Sequence, residues 1–123
     1  MNSKLTMVLR LLLGLILLVF GANKFIHFMP TSTMEGPPAD FMGALAKTDY
    51  MFPLIAITEI IAGTLLIFNK WIGFALIFAA IMSVNIMLFH IMLSPTTIAA
   101  GAVVAILTVV LMYTNWNKFK TLF

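Results

Sequence analysis

Residues 50–69 read YMFPLIAITEIIAGTLLIFN, and a single charged side chain, Glu59, lies near the middle of this apolar segment. The segment is long enough to cross a bilayer as a helix, because about 20 residues at about 1.5 Å each span the hydrocarbon core. A charge at the centre of such a helix costs about 2.5–3.5 kcal/mol on insertion scales. We therefore expect Glu59 to have a partner, a bound proton or a function.

The whole chain has the composition of an integral membrane protein. Of its 123 residues, 63% are hydrophobic and 9% are charged, and its mean hydropathy is +1.13. A soluble domain carries about 25% charged residues, so this chain has too little polar surface for water. Its net charge of +3 is scattered along the chain, which argues against nucleic-acid binding. The chain has no cysteine, which excludes disulfides, cysteine–metal sites and thiol relays within it.

Four apolar segments have the length of a membrane span. They are residues 5–28, 50–68, 71–93 and 98–116. Backbone groups in lipid must be satisfied within the segment, which favours helices, and the period-two alternation of transmembrane strands is absent. The first segment begins like a signal peptide, but no small-x-small cleavage site follows, so we expect it to remain as a helix. We predict an all-α fold, a four-helix transmembrane bundle that forms a single domain over residues 1–123.

The connections between these segments indicate how the helices are arranged. Residues 29–49 form the one long loop, and within it residues 40–46 follow Pro38, a favoured residue in a first helical turn. Their apolar side chains fall on one face, so we predict a short amphipathic helix at the membrane interface, between the first two transmembrane helices. The other connections are short turns, so consecutive helices should be antiparallel neighbours.

The basic residues predict the orientation of the bundle. Lys4 and Arg10 open the first helix, Lys70 lies between the second and third, and Lys118 and Lys120 follow the fourth. All of these fall on one side of the predicted bundle, whereas the carboxylates of the long loop fall on the other. The positive-inside rule therefore predicts that both termini are cytoplasmic.

Six polar or charged residues lie within or near the ends of the predicted helices and form the candidate site. They are Arg10, Lys24, His27, Glu59, Asn85 and His90. The rise of a helix per residue places Glu59 near the midplane and Arg10 towards the cytoplasmic side. The other four fall in the outer half of the bilayer, so Glu59 lies beneath them.

Small residues share a helical face with three of these candidates, namely Lys24, Glu59 and His90. The small residues are Gly14 and Gly21 in the first helix, Ala56 and Gly63 in the second, and Ala75, Ala79 and Ser83 in the third. Because membrane helices approach closely along such faces, we expect these three candidates to face the bundle interior. Asn85 points about 140° away from His90 and cannot face the same spot.

Each candidate also has a purely structural interpretation. Arg10 can be a topology anchor whose charge extends to the inner interface, and Lys24 can extend to the outer one in the same way. His27, near a helix end, is typical of an interfacial residue. Asn85 can brace one helix against another, and His90 can be a hydrogen-bonded interior histidine.

Glu59 has two interpretations, an ion pair with Lys24 or Arg10 and a carboxylate that lines a cavity. Burial favours its neutral form and a close lysine favours its charged form, so the sequence leaves its protonation state open. We favour the ion pair with Lys24. His27 and His90 lie at similar depths, as in a bis-histidine haem site, but nothing else in the sequence supports a haem. No spacing typical of a metal site is present.

The chain also carries motifs of a known family. They are RLLLGL at residues 10–15, GANKF at 21–25, EIIAGTLL at 59–66 and a third helix that closes with His90. Their order and spacing resemble the DoxX-like family of small four-helix integral membrane proteins, over essentially the whole chain. The resemblance implies the inner (plasma) membrane of a bacterium. Some relatives are described as small membrane subunits of thiosulfate:quinone oxidoreductases, and others as partners of soluble redox enzymes.

Three functions follow as hypotheses. The first is an accessory or binding module for a lipid-like molecule or for a membrane or redox partner, with Glu59, Lys24 and His90 lining the site. The second is a small membrane subunit of a quinone-linked oxidoreductase, in which Glu59 or His90 exchanges a proton with a quinone. The third is a transporter or channel formed by a homo-oligomer, because four helices are few for an enclosed pathway. The sequence leaves open the ligand, the oligomeric state and whether any enzymatic activity resides in this chain or in a partner.

Overall fold

The computed structural model describes residues 3–26, 35–95 and 98–119, and the regular structure in this part of the chain is helical. The helices are α1 (Ser3–Ile26), α2 (Pro37–Lys47), α3 (Met51–Ile67), α4 (Ile72–Met92), α5 (Ile98–Thr114) and the single turn α6 (Trp116–Phe119). The predicted all-α class is confirmed. A short helix, α2, is also present within the predicted long loop.

Two helices, α1 and α4, are long and apolar enough to cross a membrane. The helices α2 and α3 pass the same test only as a pair, and a 90° bend separates them. The helices α3 and α5 have 17 residues each, so they are shorter than the predicted segments 50–68 and 98–116. By length and composition the chain therefore has two clear spans, with a third if the bent pair counts as one.

A three-residue connection produces the bend between α2 and α3. The Thr48 hydroxyl donates to the carbonyl of Leu45 at 2.7 Å and accepts the backbone N–H of Met51 at 3.1 Å. The hydroxyl thus provides a hydrogen-bond partner for a backbone carbonyl at the end of α2 and for a backbone N–H at the start of α3. Asp49 has a φ of 63°, a left-handed conformation that aspartate tolerates better than most side chains.

The turn between α3 and α4 is a Schellman motif. The Lys70 N–H donates to the carbonyl of Leu65 at 3.0 Å, and the Asn69 N–H donates to that of Leu66 at 3.3 Å. Asn69 takes the left-handed conformation that the motif requires, with φ 56°. Trp71 also has a positive φ, 49°, which is uncommon for so large a side chain.

Four helices pack in a closed ring in the order α1, α3, α4, α5, with α1 against α3 as the most extensive contact. Gly14 lies opposite Gly63 and Gly21 lies opposite Ala56, so α1 and α3 run antiparallel. We call the end of the ring where α1 begins and α5 finishes the terminal end. The opposite end, where α2 contacts α3, is called the loop end.

The apolar core occupies the middle of the ring and its terminal end. It consists of Leu13, Leu17, Ala62, Leu66, Ile72, Ala75, Leu76, Ala79, Val104, Leu107 and Leu111. Large apolar side chains in the middle of each helix also face outward and are exposed, among them Leu15, Ile61, Ile81 and Val109. An apolar belt of this extent is unfavourable in water and is solvated by lipid in a bilayer.

Candidate functional site

The candidate site begins at the contact between α1 and α3, which three glycines make very close. A Cβ atom added to Gly63 would lie 2.6 Å from the carbonyl oxygen of Gly14, and one added to Gly21 would lie 2.9 Å from that of Ala56. Both distances are too short for a side chain, so the two backbones touch directly. The sequence prediction that these small residues mark a helix contact is confirmed.

An ion pair between Lys24 and Glu59 lies on this contact, towards the loop end. Lys24 Nζ donates to Glu59 Oε1 at 2.7 Å, the distance of a strong charge-assisted hydrogen bond. Gly21 is one turn before Lys24 on the same face of α1, and an added Cβ there would lie 3.2 Å from Glu59 Cβ. The missing side chain of Gly21 therefore leaves room for the carboxylate beside α1. The ion pair that we favoured from the sequence is present.

The two partners differ in exposure. The Glu59 side chain is 5% exposed, whereas that of Lys24 is 25% exposed. Lys24 also lies in the last turn of α1, where the helix dipole favours a cation. The carboxylate is thus held inside the ring, and the ammonium extends from it towards the surface near the loop end. A partly exposed ammonium can bind an oxygen of another molecule while it still contacts the carboxylate.

Arg10 lies near the other end of α1 and is bound to the end of α3. Its Nη1 donates to the carbonyl of Leu66 and, at 3.2 Å, to that of Ile67. The carbonyls of a last helical turn lack partners within the helix, and a cation is favoured there by the dipole. Arg10 therefore caps α3 and is separated from Glu59, whose partner is Lys24.

His90 belongs to the contact between α4 and α5. Its ring lies against Gly101, where an added Cβ would be 2.9 Å from His90 Cδ2. Its Nδ1 is 3.3 Å from the carbonyl oxygen of Ser94, and because a carbonyl only accepts, this contact requires the proton on Nδ1. The neighbouring Phe89 contacts Phe41 of α2, with ring centroids 5.5 Å apart. His90 thus lies at the loop end, beneath the attachment point of α2.

The fifth predicted site residue, Asn85, does not join these groups in the described structure. Asn85 is exposed, and its amide donates to the carbonyl of Ile81 in its own helix at 3.0 Å. Its bond therefore lies within α4 and does not link two helices. His27 lies outside the described residues.

A buried hydroxyl pair that the sequence reasoning missed lies at the contact between α4 and α5. Ser83 Oγ lies 3.3 Å from Thr108 Oγ1, and each hydroxyl donates at 2.7 Å to a carbonyl one turn earlier in its own helix. Thr108 is 1% exposed. The signal was available, because Thr108 is seven residues after Gly101 and so shares its helical face. A groove of about 330 Å³ on the outside of the ring, lined mainly by apolar side chains, reaches this pair.

Among the residues that the structure describes, no group of three His, Asp or Glu side chains is placed to hold a metal ion. The chemistry available at the ion pair is therefore that of an ammonium and a carboxylate. The ammonium can bind an anion or a carbonyl oxygen, and the carboxylate can accept or release a proton.

Apolar helices with an exposed apolar belt, closed into a ring with an apolar core, define a small helical integral membrane protein. The comparisons with known proteins specify its family. The DoxX family model matches residues 5–92, which include α2 to α4 and all but the first two residues of α1, and therefore Arg10, Lys24, Glu59 and His90. The chain belongs to the DoxX family, which confirms the resemblance found in the sequence. The comparison with curated proteins gave no match, and neither did the comparison with solved structures.

Proposed function

We propose that this DoxX-family protein crosses the bacterial inner membrane four times, with α1, α3, α4 and α5 as the spans and both termini cytoplasmic. The closed ring of four antiparallel helices supports this arrangement. The 17 residues of α3 or α5 extend about 25 Å, close to the thickness of the hydrocarbon core. In this orientation α2 lies along the outer interface, with the apolar Phe41 side chain directed to α4.

The protein's role in that membrane is to bind a lipid-like molecule beside the Lys24–Glu59 pair, either for its own use or for a partner. The single observation that carries this function is the ion pair itself, with one buried and one partly exposed member. A purely structural pair needs no exposed member. An ammonium held at a fixed position and partly open is suited to binding a ligand from the surrounding lipid.

The chemistry of the pair limits the ligand to a molecule with an oxygen acceptor and an apolar body. An ammonium has three N–H donors, and Glu59 takes one of them. A phosphate, carboxylate or quinone carbonyl can accept another. The ligand's apolar part would remain in the bilayer, because the outer faces of the helices beside the site are apolar.

The test is extraction and mass spectrometry of molecules that co-purify with the protein from native membranes. We expect a lipid-like molecule with the native chain and its loss from the Lys24→Met variant. Lys47→Met is the matched control, because Lys47 is an exposed lysine in α2 near the same end of the ring. A double variant, Lys24→Met with Glu59→Leu, removes the ammonium without leaving a buried charge, so a loss of ligand from the folded double variant is due to the missing ion pair.

The outcomes separate the hypotheses. Equal ligand content in the native protein and in the folded double variant would refute the proposed site. A quinone as the extracted molecule would favour the redox-subunit function. In that case Glu59→Gln should reduce quinone turnover, because the amide cannot exchange a proton in the same way. A soluble protein that co-purifies with the native chain and not with Lys24→Met would favour the partner-binding form of the same function.

A further inference from the structure

The outer face of α4 carries a regular row of exposed side chains. Residues at successive intervals of seven, four, three and four lie on one side of a helix. Five exposed residues of α4 follow this spacing, and we call them the α4 outer seam: Phe74, Ile81, Asn85, Leu88 and Met92. The seam lies opposite the side of α4 that is buried in the ring. It is an apolar strip that a single asparagine interrupts.

Asn85 lies at a depth where a polar side chain meets hydrocarbon. The helix α4 is one of the two that are long and apolar enough to cross a membrane, and its midpoint is Met82. Asn85 is three residues further along, about 4.5 Å from the middle of the span. In the four ring helices as described, it is the one carboxamide or charged side chain that is exposed away from a helix end. Lipid tails offer it no hydrogen-bond partner.

The carboxamide of Asn85 can make more hydrogen bonds than α4 supplies. Its nitrogen donates to the carbonyl of Ile81 at 3.0 Å, which uses one of its two N–H groups. The second N–H and the oxygen Oδ1 have no partner within the described part of the chain. A threonine differs in this respect, because the Thr58 hydroxyl uses its single donor on the carbonyl of Leu54 in its own helix. Asn85 therefore keeps one donor and one acceptor for a group outside the ring.

The unused groups of Asn85 are complementary to those of a second copy of the chain. Copies inserted in the same orientation are related by an axis along the membrane normal, so their α4 helices are parallel and each seam residue meets its counterpart at the same depth. The free N–H of each Asn85 can then donate to Oδ1 of the other. The spacing of the seam averages about 3.5 residues, as in helices that pack with knobs into holes, where one asparagine in an apolar seam fixes register and oligomeric state.

We propose that the α4 outer seam is the interface of a homodimer, in which the two copies of Asn85 pair through two reciprocal hydrogen bonds. Ile81 and Leu88, one turn to either side, close the contact above and below the carboxamides and exclude lipid from them. Asn85 is thus a brace between two copies of the chain and not between two helices of one ring. The interface is separate from the proposed ligand site, because α4 lies diagonally across the ring from α1, which carries Lys24.

The first test is disulfide cross-linking, for which the chain is suited because it has no cysteine. Oxidation of Leu88→Cys in native membranes should give a covalent dimer, since the twofold axis brings this position next to its counterpart. Val103→Cys is the matched control, because Val103 is an exposed apolar side chain of α5 at a similar distance from the loop end. It should give little dimer.

The second test is the strength of association, measured by energy transfer in dioleoylphosphatidylcholine vesicles at decreasing ratios of protein to lipid. The dyes are attached at Lys47→Cys, an exposed position in α2. Asn85→Leu should weaken association about 5- to 30-fold, the range for hydrogen bonds between model membrane helices. Asn85→Gln keeps a carboxamide and should associate more tightly than Asn85→Leu. All variants should keep the native helical content by circular dichroism, because the side chain is exposed.

Three results would overturn the proposal. The first is association of Asn85→Leu as tight as that of the native chain. The second is equal cross-linking of Leu88→Cys and Val103→Cys, which would indicate random collision. The third is a Leu88→Cys adduct with a different protein in place of the dimer, which would assign the seam to a foreign partner and refute the second copy.

Discussion

Replacing Lys24 by methionine should destabilise the protein more than replacing Glu59 by glutamine, because the two members of the pair differ in burial. With Lys24 removed, the carboxylate of Glu59 stays inside the ring, where its side chain is 5% exposed. With Glu59 removed, the ammonium of Lys24 is still 25% exposed and can be solvated at the loop end. The lysine variant therefore carries the larger desolvation penalty.

The loss of stability in Lys24→Met can be estimated from the chemistry of a carboxylate. Breaking a buried ion pair by removing one partner costs about 3–5 kcal/mol. A glutamate that loses its lysine can take up a proton instead, and for a glutamate of ordinary acidity this costs about 3.7 kcal/mol at pH 7. The loss for Lys24→Met should therefore be about 3–4 kcal/mol at pH 7. For Glu59→Gln, which keeps an oxygen acceptor for Lys24, we expect about 1 kcal/mol.

Because the cost of protonating Glu59 depends on pH, the loss of stability in Lys24→Met should depend on pH too. Protonation of an ordinary glutamate costs about 1.0 kcal/mol at pH 5, so the defect of Lys24→Met should shrink by about 2–3 kcal/mol between pH 7 and pH 5. The assay is unfolding by SDS in mixed micelles, followed by tryptophan fluorescence at both values. Lys24→Met combined with Glu59→Leu should restore most of the stability at both pH values, since an apolar pair of similar volume replaces the ions.

Two results would refute this reasoning. A loss below about 1 kcal/mol at pH 7 that is unchanged at pH 5 would show that the carboxylate is not confined to the interior. A double variant as unstable as Lys24→Met alone would show that the defect comes from packing of the lysine stem, because the buried charge is absent there. Lys47→Met, an exposed lysine in α2, should change the free energy of unfolding by less than about 0.5 kcal/mol.

Three further predictions use the same unfolding assay. Gly63→Ala should lower the free energy of unfolding by about 1–3 kcal/mol, because the added Cβ would lie 2.6 Å from the carbonyl oxygen of Gly14. In the control Gly43→Ala, in α2, the added Cβ has no neighbour within 4 Å, so this variant should gain about 0.5–1 kcal/mol of helix stability. Arg10→Met should cost about 2 kcal/mol through the lost bonds to the last turn of α3, and Arg10→Lys should fall between the native protein and Arg10→Met. Ser83→Ala should cost only about 0.5 kcal/mol, since its hydroxyl donates mainly to its own helix. Equal effects of the two glycine variants would contradict the close α1–α3 contact. A loss of stability with Arg10→Lys as large as with Arg10→Met would contradict a role for the charge. A loss of stability above about 2 kcal/mol for Ser83→Ala would show a stronger bond between α4 and α5.

The sequence predicted the helices and the α1–α3 contact because both depend on local periodicity. Four apolar segments and a polar loop correspond to the observed helices to within a few residues at most ends. Gly14, Gly21 and Gly63 recur at helical intervals, and small residues on one face have few uses in a membrane helix other than close packing. Lys24 and Glu59 lie on those same faces, so their pairing could be predicted too.

The partners of Arg10 and the position of His90 could not be predicted in the same way. Arg10 binds backbone carbonyls, which every residue has, so the sequence carries no sign of them. His90 lies on a small-residue face, as expected, but periodicity does not say which neighbouring helix such a face meets. In the ring it meets Gly101 of α5, whereas the ion pair joins α1 to α3. The order of helices around the ring is a property of the whole fold.

The polar contacts divide the ring into two helix pairs. Hydrogen bonds from Arg10 and Lys24 hold α1 to α3 at two levels, with the glycines between them. Between α4 and α5 the Ser83 and Thr108 hydroxyls make only a polar contact of 3.3 Å, because each donates at 2.7 Å within its own helix. Bonds with defined geometry thus fix the arrangement of α1 against α3, while apolar side chains such as Leu13 and Leu76 supply the core between the pairs. A ligand beside Lys24 would therefore meet a helix pair whose spacing the glycines and the polar bonds already fix.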